Sequence, residues 1–465
     1  MSIPLYVSSF VVAWMMAHGA NSFLVKKARA SAVIKKSFTF ASIVFALIAL
    51  ELGGSMMLGT CEEAYTTGIY GLLYVVGISI GFILLGLGFA KKIQAMNVES
   101  TIDLFEIRYK SPLIRVCASL LSILTTWGLL LGQIIAGKSL IHALGITNEI
   151  FFVCLSICTI LYAVLGGLRT AGITYSIQLV YTVIVFGGIF VFCLAKEPPS
   201  FFIQLLDSPF AFPKTDLSFS TVFNLLVMPA LYYLTDQEFA RPLFNVSNRY
   251  TGAACAAGAS AFMLIFSLVP IYFGIKAKAL HLVIPDSISP LIPVLAILTN
   301  ELVVFLAVLG MAAALIAMID YYLWSISLSI TQELGLSYGF FKNNPTVDKI
   351  MLVFVGLVAT FASYCTTSNA MQILLYSYEL YDSCLIVPLL MSYFQADLKK
   401  GSAIGAILLG LAGFILVHTI ALPISGQIVS FALSGIGFYV GGHAETTLKK
   451  FVVLKTSKSA HCGNI

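Results

Sequence analysis

Glu51 lies in the middle of an otherwise apolar run, 38–60, and is followed by Leu52, Gly53, Gly54 and Ser55. An ionised carboxylate at the centre of a bilayer costs at least about 2.5–3.5 kcal/mol on insertion scales. It persists there only if it is paired, protonated or facing water. Two readings of Glu51 follow: a binding or coupling group, or a buried acid held in a salt bridge or as a neutral hydrogen-bonded side chain. Each glycine weakens a helix by about 1 kcal/mol relative to alanine. Gly53–Gly54 therefore marks either a break or a close helix–helix contact through small residues. Pro229 lacks an N–H and displaces the carbonyl four residues back, so a second interruption is expected near Met228–Pro229 in the run 219–235. Glu379 and Asp382 lie three residues apart in another apolar run, on one helical face, able to face a cavity or to pair with Lys or Arg.

These groups need a scaffold, and composition decides its class. The chain has 465 residues, 59% hydrophobic and 10% charged, with mean hydropathy +0.97. Soluble domains carry roughly 25% charged residues, and one of this length could not hide so much apolar surface. Disorder, collagen, coiled coil and a nucleic-acid module are excluded by the same numbers. β-Barrel strands alternate in polarity over segments of about 10 residues. Here the runs are continuous and near the roughly 20 residues of a spanning helix. The expected fold is an all-α integral membrane protein of about thirteen helices: 3–24, 38–60, 67–90, 112–143, 149–165, 171–195, 219–235, 251–275, 300–331, 348–365, 370–393, 402–421 and 424–442. Residues 1–24 lack the basic start of a cleavable signal and are expected to remain as a helix. Cys154 and Cys158 share a helical face inside an apolar run and read as small packing residues; the nine cysteines show no metal spacing.

Lys and Arg set the orientation, because cytoplasmic loops carry an excess of both. With the N-terminus outside, inner segments hold 21 of the 26 basic residues. The net charge of +5 is then mostly a topology signal. The N-terminus is expected outside and the tail 443–465 in the cytoplasm, in a multi-pass protein of the cell membrane.

Several stretches resemble the sodium/solute symporter family. "GGLRTAGITYSIQ", Gly166 to Gln178, matches its GGL(R/K) loop with a Gln nine residues later. "STIDLFEIRY" at 100–109 is similar to a stretch before a long helix, and "TDQEFARPLFNVSN" at 235–248 to the segment after the sixth core helix. Asp320 to Thr331 resembles part of the eighth core helix. The resemblance implies two five-helix repeats of inverted topology, 38–195 and 219–393, with one extra helix before them and two after, 402–442. It also implies a secondary active symporter of a small organic solute, working by alternating access in the lipid bilayer. No enzyme activity, cofactor or nucleic-acid partner is expected.

In such an architecture the first helix of each repeat is unwound at mid-membrane, freeing carbonyls for a cation. The resemblance places the sodium-site carbonyls on Ala49 and Leu52, with Ala314 from the eighth core helix. The two hydroxyl positions before Asp320 are Ala317 and Met318, whose side chains cannot ligate Na⁺. Tyr175 also stands where relatives often carry Asp. The solute cavity would be lined by Glu51, Ser55, Trp127, Gln133, Tyr232, Tyr233, Tyr376, Tyr378 and Glu379, although each lone aromatic also fits packing or an interfacial belt. Asp236 and Arg241 read as an inner gate or a solvated loop.

Three coupling modes remain open: protons bound by Glu51, Na⁺ bound elsewhere through Glu51 or Asp320, or uncoupled transport. Other readings are a proton-coupled amino-acid permease of the related fold, a membrane-embedded transferase and a transporter-derived sensor. The segment 196–218 has too few clustered charges for a phosphate donor, and the roughly 20 residues after 442 are short for a signalling domain. Walker A, H-x-E and G-x-S-x-G motifs are absent. The charge distribution predicts that single cysteines in 25–37 and 91–111 react only with membrane-permeant thiol reagents in intact cells. Labelling by an impermeant reagent would reverse the topology.

Overall fold

The computed structural model describes residues 40–95, 101–166, 168–198, 218–236, 239–240, 243, 249–285, 288–334, 344–395, 397–420 and 426–462. Every regular element among them is helical. Seven helices are long and apolar enough to cross a membrane, and three shorter ones, 149–165, 178–194 and 219–235, are also apolar. The expected helix 3–24 lies outside the described residues; each of the other twelve expected spans contains helix.

The first span is α1, Phe40–Ala49, then an interruption, a π-helical turn Ser55–Gly59 and α2, Thr60–Thr67. At Gly68 the chain reverses with φ 66°, a left-handed value that only glycine adopts without cost. A short 3₁₀ turn leads into α3, Leu72–Leu84. The first helix thus runs seven residues beyond its expected end at 60. Both strokes lie along α11, Arg249–Ala279. The Cys255 thiol reaches the Phe40 carbonyl at 3.9 Å near the start of α1. Further along, Gly274 sits so close to the Cys61 carbonyl that a Cβ would lie 2.5 Å from it. On the return stroke the Ser260 hydroxyl donates to the Ser79 carbonyl at 3.2 Å. These contacts make α1–α2 parallel and α3 antiparallel to α11.

Next come α4 (Ala90–Ala95), α5 (Asp103–Tyr109), α6 (Pro112–Ala143), α7 (Glu149–Gly166) and α8 (Leu168–Leu194). α9 (Phe219–Val222) and α10 (Met228–Thr235) flank a π-helical turn. α12 (Leu291–Leu298), α13 (Glu301–Leu328), α14 (Pro345–Cys365), α15 (Ala370–Tyr381), α16 (Val387–Phe394), α17 (Lys400–Thr419) and α18 (Gly426–Cys462) complete the order. Side chains fix several starts. Asn300 accepts from the Val303 N–H at 3.0 Å, and Asn369 and Gln372 form a reciprocal capping box opening α15.

Two expectations need correction. Residues 219–235 are not unwound at Met228–Pro229. Val227 and Met228 keep helical dihedrals, and the Met228 N–H reaches five residues back to the Phe223 carbonyl. The widened turn moves aside the carbonyl that the ring would strike, and Pro229 falls in the first turn of α10, where no N–H is needed. The second correction concerns the tail. α18 does not end at 442 but continues to Cys462, 37 residues in all. At 1.5 Å per residue that is roughly 55 Å, well beyond a hydrocarbon core of about 30 Å.

α17 and α18 pack through glycine. A Cβ at Gly405 would lie 2.1 Å from the Gly437 carbonyl, and one at Gly437 2.1 Å from the Gly405 carbonyl. In lipid, such close backbone approach supplies association that apolar burial cannot. Gly437→Leu is therefore expected to destabilise the protein by about 1–3 kcal/mol, the usual scale of overpacking. Gly435→Leu, at a position with open space around it, should be neutral. Melting temperatures in detergent read both, and equal values for the two variants would refute this packing.

Candidate functional site

The interruption after α1 follows from the two glycines and is held by one amide. The Gly53 N–H turns to the Glu51 carbonyl at 2.7 Å. The Gly54 N–H donates to Gln133 Oε1 of α6 at 3.0 Å. The carbonyls of Ala49 and Leu50 thereby lose the partners a continuous helix would give them. α13 closes over the gap from the other side. A Cβ at Gly53 would lie 2.6 Å from Met318 Cγ, and one at Gly54 2.2 Å from Leu315 Cδ2. So the glycines serve both readings at once: they break the helix and admit a neighbour. Met318 faces the break at the position where the resemblance implies a hydroxyl. Ala314 and Ala317 are buried on the same helix, as is Asp320.

Glu51 is 6% exposed. Its Oε1 accepts from the Tyr74 hydroxyl of α3 at 3.3 Å, and its Oε2 accepts a short bond from the Tyr233 hydroxyl of α10. The Tyr378 hydroxyl of α15 lies 2.8 Å from that of Tyr233 and 3.4 Å from that of Tyr74. Tyr232 stacks on Tyr378 with ring centroids 4.3 Å apart. The Tyr232 hydroxyl donates to Asp236 Oδ2 at 2.8 Å, just past the end of α10. Four helices thus meet on one carboxylate. Neutral phenols donating to it offset the loss of water, as buried charge requires.

A cavity of about 430 Å³ opens between α2, residues 284–285 and 288–290, and the start of α15. Glu62, Glu63, Asn369 and Met371 line it, and Met371 also packs on Gly59 in the π turn. Met371 thus stands between the cavity and the turn that follows the broken segment.

The expected site residues divide. Glu51, Gln133, Tyr232, Tyr233 and Tyr378 are brought together; Ala49 and Leu52 adjoin Glu51 in the chain, Met318 packs on Gly53, and Ala314 and Ala317 are buried on the helix of Met318. Asp236 joins through Tyr232. Trp127 is half-buried on α6 and makes no described bond to this cluster. Tyr376 and Glu379 are corrections. Tyr376 is 42% exposed and sets its ring against His418 of α17, with centroids 5.0 Å apart. Glu379 is turned toward α17 and α18, where Gln427 Nε2 donates to it at 3.3 Å. Helical geometry explains both: two residues from Tyr378 is about 200° round the helix, and one residue is about 100°. The side chain of Ser55, and Arg241 altogether, lie outside the described residues. Tyr74 was not anticipated; its signal is a tyrosine deeper in the apolar run 67–90 than Tyr70, the other one there.

The family model for sodium:solute symporters matches residues 34–196. A search among curated proteins gave no match. Of solved structures, a Na⁺-coupled sialic acid symporter in a substrate-bound outward-open state superposes with a TM-score of 0.69 at 15% identity, covering 94% of this chain and 97% of its own. The inward-facing conformation of Mhp1 gives a TM-score of 0.50 at 13% identity, over 89% of this chain and 92% of its own. Both likenesses are of fold. In sequence, the stretch 34–196 is similar to the sodium:solute symporter family.

Proposed function

We propose that this protein is a symporter that moves a small organic solute across a membrane by alternating access, with Glu51 as the group that couples transport to an ion. The observation that carries this reading is the carboxylate at a helix break, held among the described residues by hydroxyls from other helices. Tyr74, Tyr233 and Tyr378 belong to three helices besides the one bearing Glu51. Any rocking of these helices against each other changes how many donors the carboxylate keeps. Its charge and the conformation are then linked. The family reading and its two five-helix repeats supply the movement; the cavity beside α2 and α15 supplies a route from one side.

The coupling ion follows from the same geometry. Na⁺ takes oxygen ligands. At this break the carbonyls of Ala49 and Leu50 are released, but Met318 and Ala317 offer no oxygen from α13. Carbonyls alone hold Na⁺ weakly. Glu51, protonated, is neutral and cheap to carry through a closed state. Deprotonated, it needs its tyrosine donors or water from one side, a condition alternating access provides.

Transport is therefore expected to depend on pH more than on Na⁺. In proteoliposomes loaded from a mixed solute pool and read by mass spectrometry, replacing Na⁺ with choline at fixed pH should leave uptake largely intact. Glu51→Gln should abolish concentrative uptake while solute exchange persists. A strict Na⁺ requirement, together with a Glu51→Gln protein that still concentrates solute, would overturn this assignment.

A further inference from the structure

A second group of buried acids lies away from Glu51, between the core and the two C-terminal helices. Asp382 is wholly buried, and neither of its carboxyl oxygens has a hydrogen-bond partner among the described residues. One turn earlier on the same face, Glu379 is 2% exposed and its Oε1 is likewise without one. Its Oε2 is 3.3 Å from Gln427 Nε2 and 3.8 Å from His418 Nε2. Two carboxylates so placed cannot both be charged without a partner. An unsatisfied buried acid of this kind is explained most simply by a proton it carries itself.

His418 supplies a way in. Its side chain is 31% exposed at the end of α17, whereas that of Glu379 is 3% exposed. His418 Nδ1 lies 2.9 Å from the Phe414 carbonyl, which can only accept. Nδ1 therefore carries the hydrogen and Nε2 faces Glu379. A proton taken up on Nε2 gives an imidazolium. Transfer to Glu379 Oε2, through a small approach or one water, restores neutral imidazole and leaves a carboxylic acid. Glu379 and Asp382 then share that proton across one helical turn.

α6 packs on α15 where Gly128 meets Ser377, and its stretch 118–137 carries no titratable side chain; Glu333 lies toward Tyr381. α17 presents His418 and α18 the neutral Gln427. α10 ends at Asp236, which is engaged by Tyr232. The helix itself adds Tyr381, and α16 adds Tyr393, both neutral phenols. No Lys or Arg is described bonding to either acid.

We propose that His418, Glu379 and Asp382 form a second proton-binding site, loaded from the exposed end of α17 and separate from Glu51. Its existence does not rest on the coupling role given to Glu51. Its consequence does reach that site: α15 carries Glu379 on one face and Tyr378 on another, so a proton here changes the charge on a helix that closes over Glu51.

Infrared difference titration of the full-length protein in lipid nanodiscs tests this without a solute. The wild type should show a protonated carboxylic-acid band at neutral pH that is lost in Asp382→Asn or in Glu379→Gln. Asp382→Glu, which keeps the acid, should retain the band at a shifted position and guards against a folding defect in the amide variant. His418→Gln should keep the band but slow its hydrogen–deuterium exchange severalfold. Spectra of Asp382→Asn and Glu379→Gln that superpose on the wild type would overturn the site. Unchanged exchange in His418→Gln would overturn the route. Glu51→Gln, measured alongside, removes only its own signal, so failure of the Glu51 reading and failure of this one are told apart.

Discussion

Lipid offers a carboxylate no hydrogen-bond donors, so Glu51 must find them within the protein. The rest of the architecture can be followed from that requirement. Glu51 sits where α1 ends, and the only groups able to reach it are side chains of helices packed across the gap. Tyrosine suits this position better than lysine or arginine. A phenol donates a hydrogen bond while remaining apolar over most of its surface, so the site stays neutral enough to be buried when Glu51 is protonated. A fixed cation would favour the charged acid permanently and remove its ability to change state.

The same economy explains the glycines. Gly53 and Gly54 have to be small for two reasons at once. The ladder breaks at their N–H groups, and Met318 and Leu315 fill the room a side chain would need. Gln133 then meets the Gly54 N–H that the break exposes. The break is thus braced from α6 on one side and α13 on the other, so unwinding at mid-membrane leaves that donor satisfied.

Much of this was legible in the sequence because it rests on contrast. A glutamate and two glycines inside an apolar run stand out, and so does a glutamine in the run 112–143. The tyrosines were harder to read. Twenty-one tyrosines occur in the chain, and nothing local tells Tyr378, whose hydroxyl joins the two that hold Glu51, from Tyr376, which lies on the periphery. That distinction is angular and depends on how α15 is rotated against its neighbours. Glu379 was misplaced for the same reason: it follows Tyr378 directly, yet the turn of one residue carries it to the C-terminal helices. Pro229 misled differently. Proline in an apolar run predicts a disturbance, but whether the chain unwinds or only widens by one residue depends on the partners of the freed carbonyls.

That last difference separates the two helices expected to match across the repeats. The one bearing Glu51 breaks its helical ladder at two amides, those of Gly53 and Gly54. The one bearing Tyr233 keeps helical dihedrals through a five-residue turn and so retains its backbone hydrogen bonds in a shifted register. Each form suits what the helix contributes. α1 needs released carbonyls and a carboxylate free of the helical ladder. α10 needs Tyr232 and Tyr233 held on adjoining faces, one toward Asp236 and one toward Glu51. A widened turn re-aims side chains at little cost to the backbone; an unwound segment would leave them loosely placed. The unequal treatment of the two helices thus divides the labour, with one helix supplying the group that changes charge and the other supplying a rigid donor that registers the change.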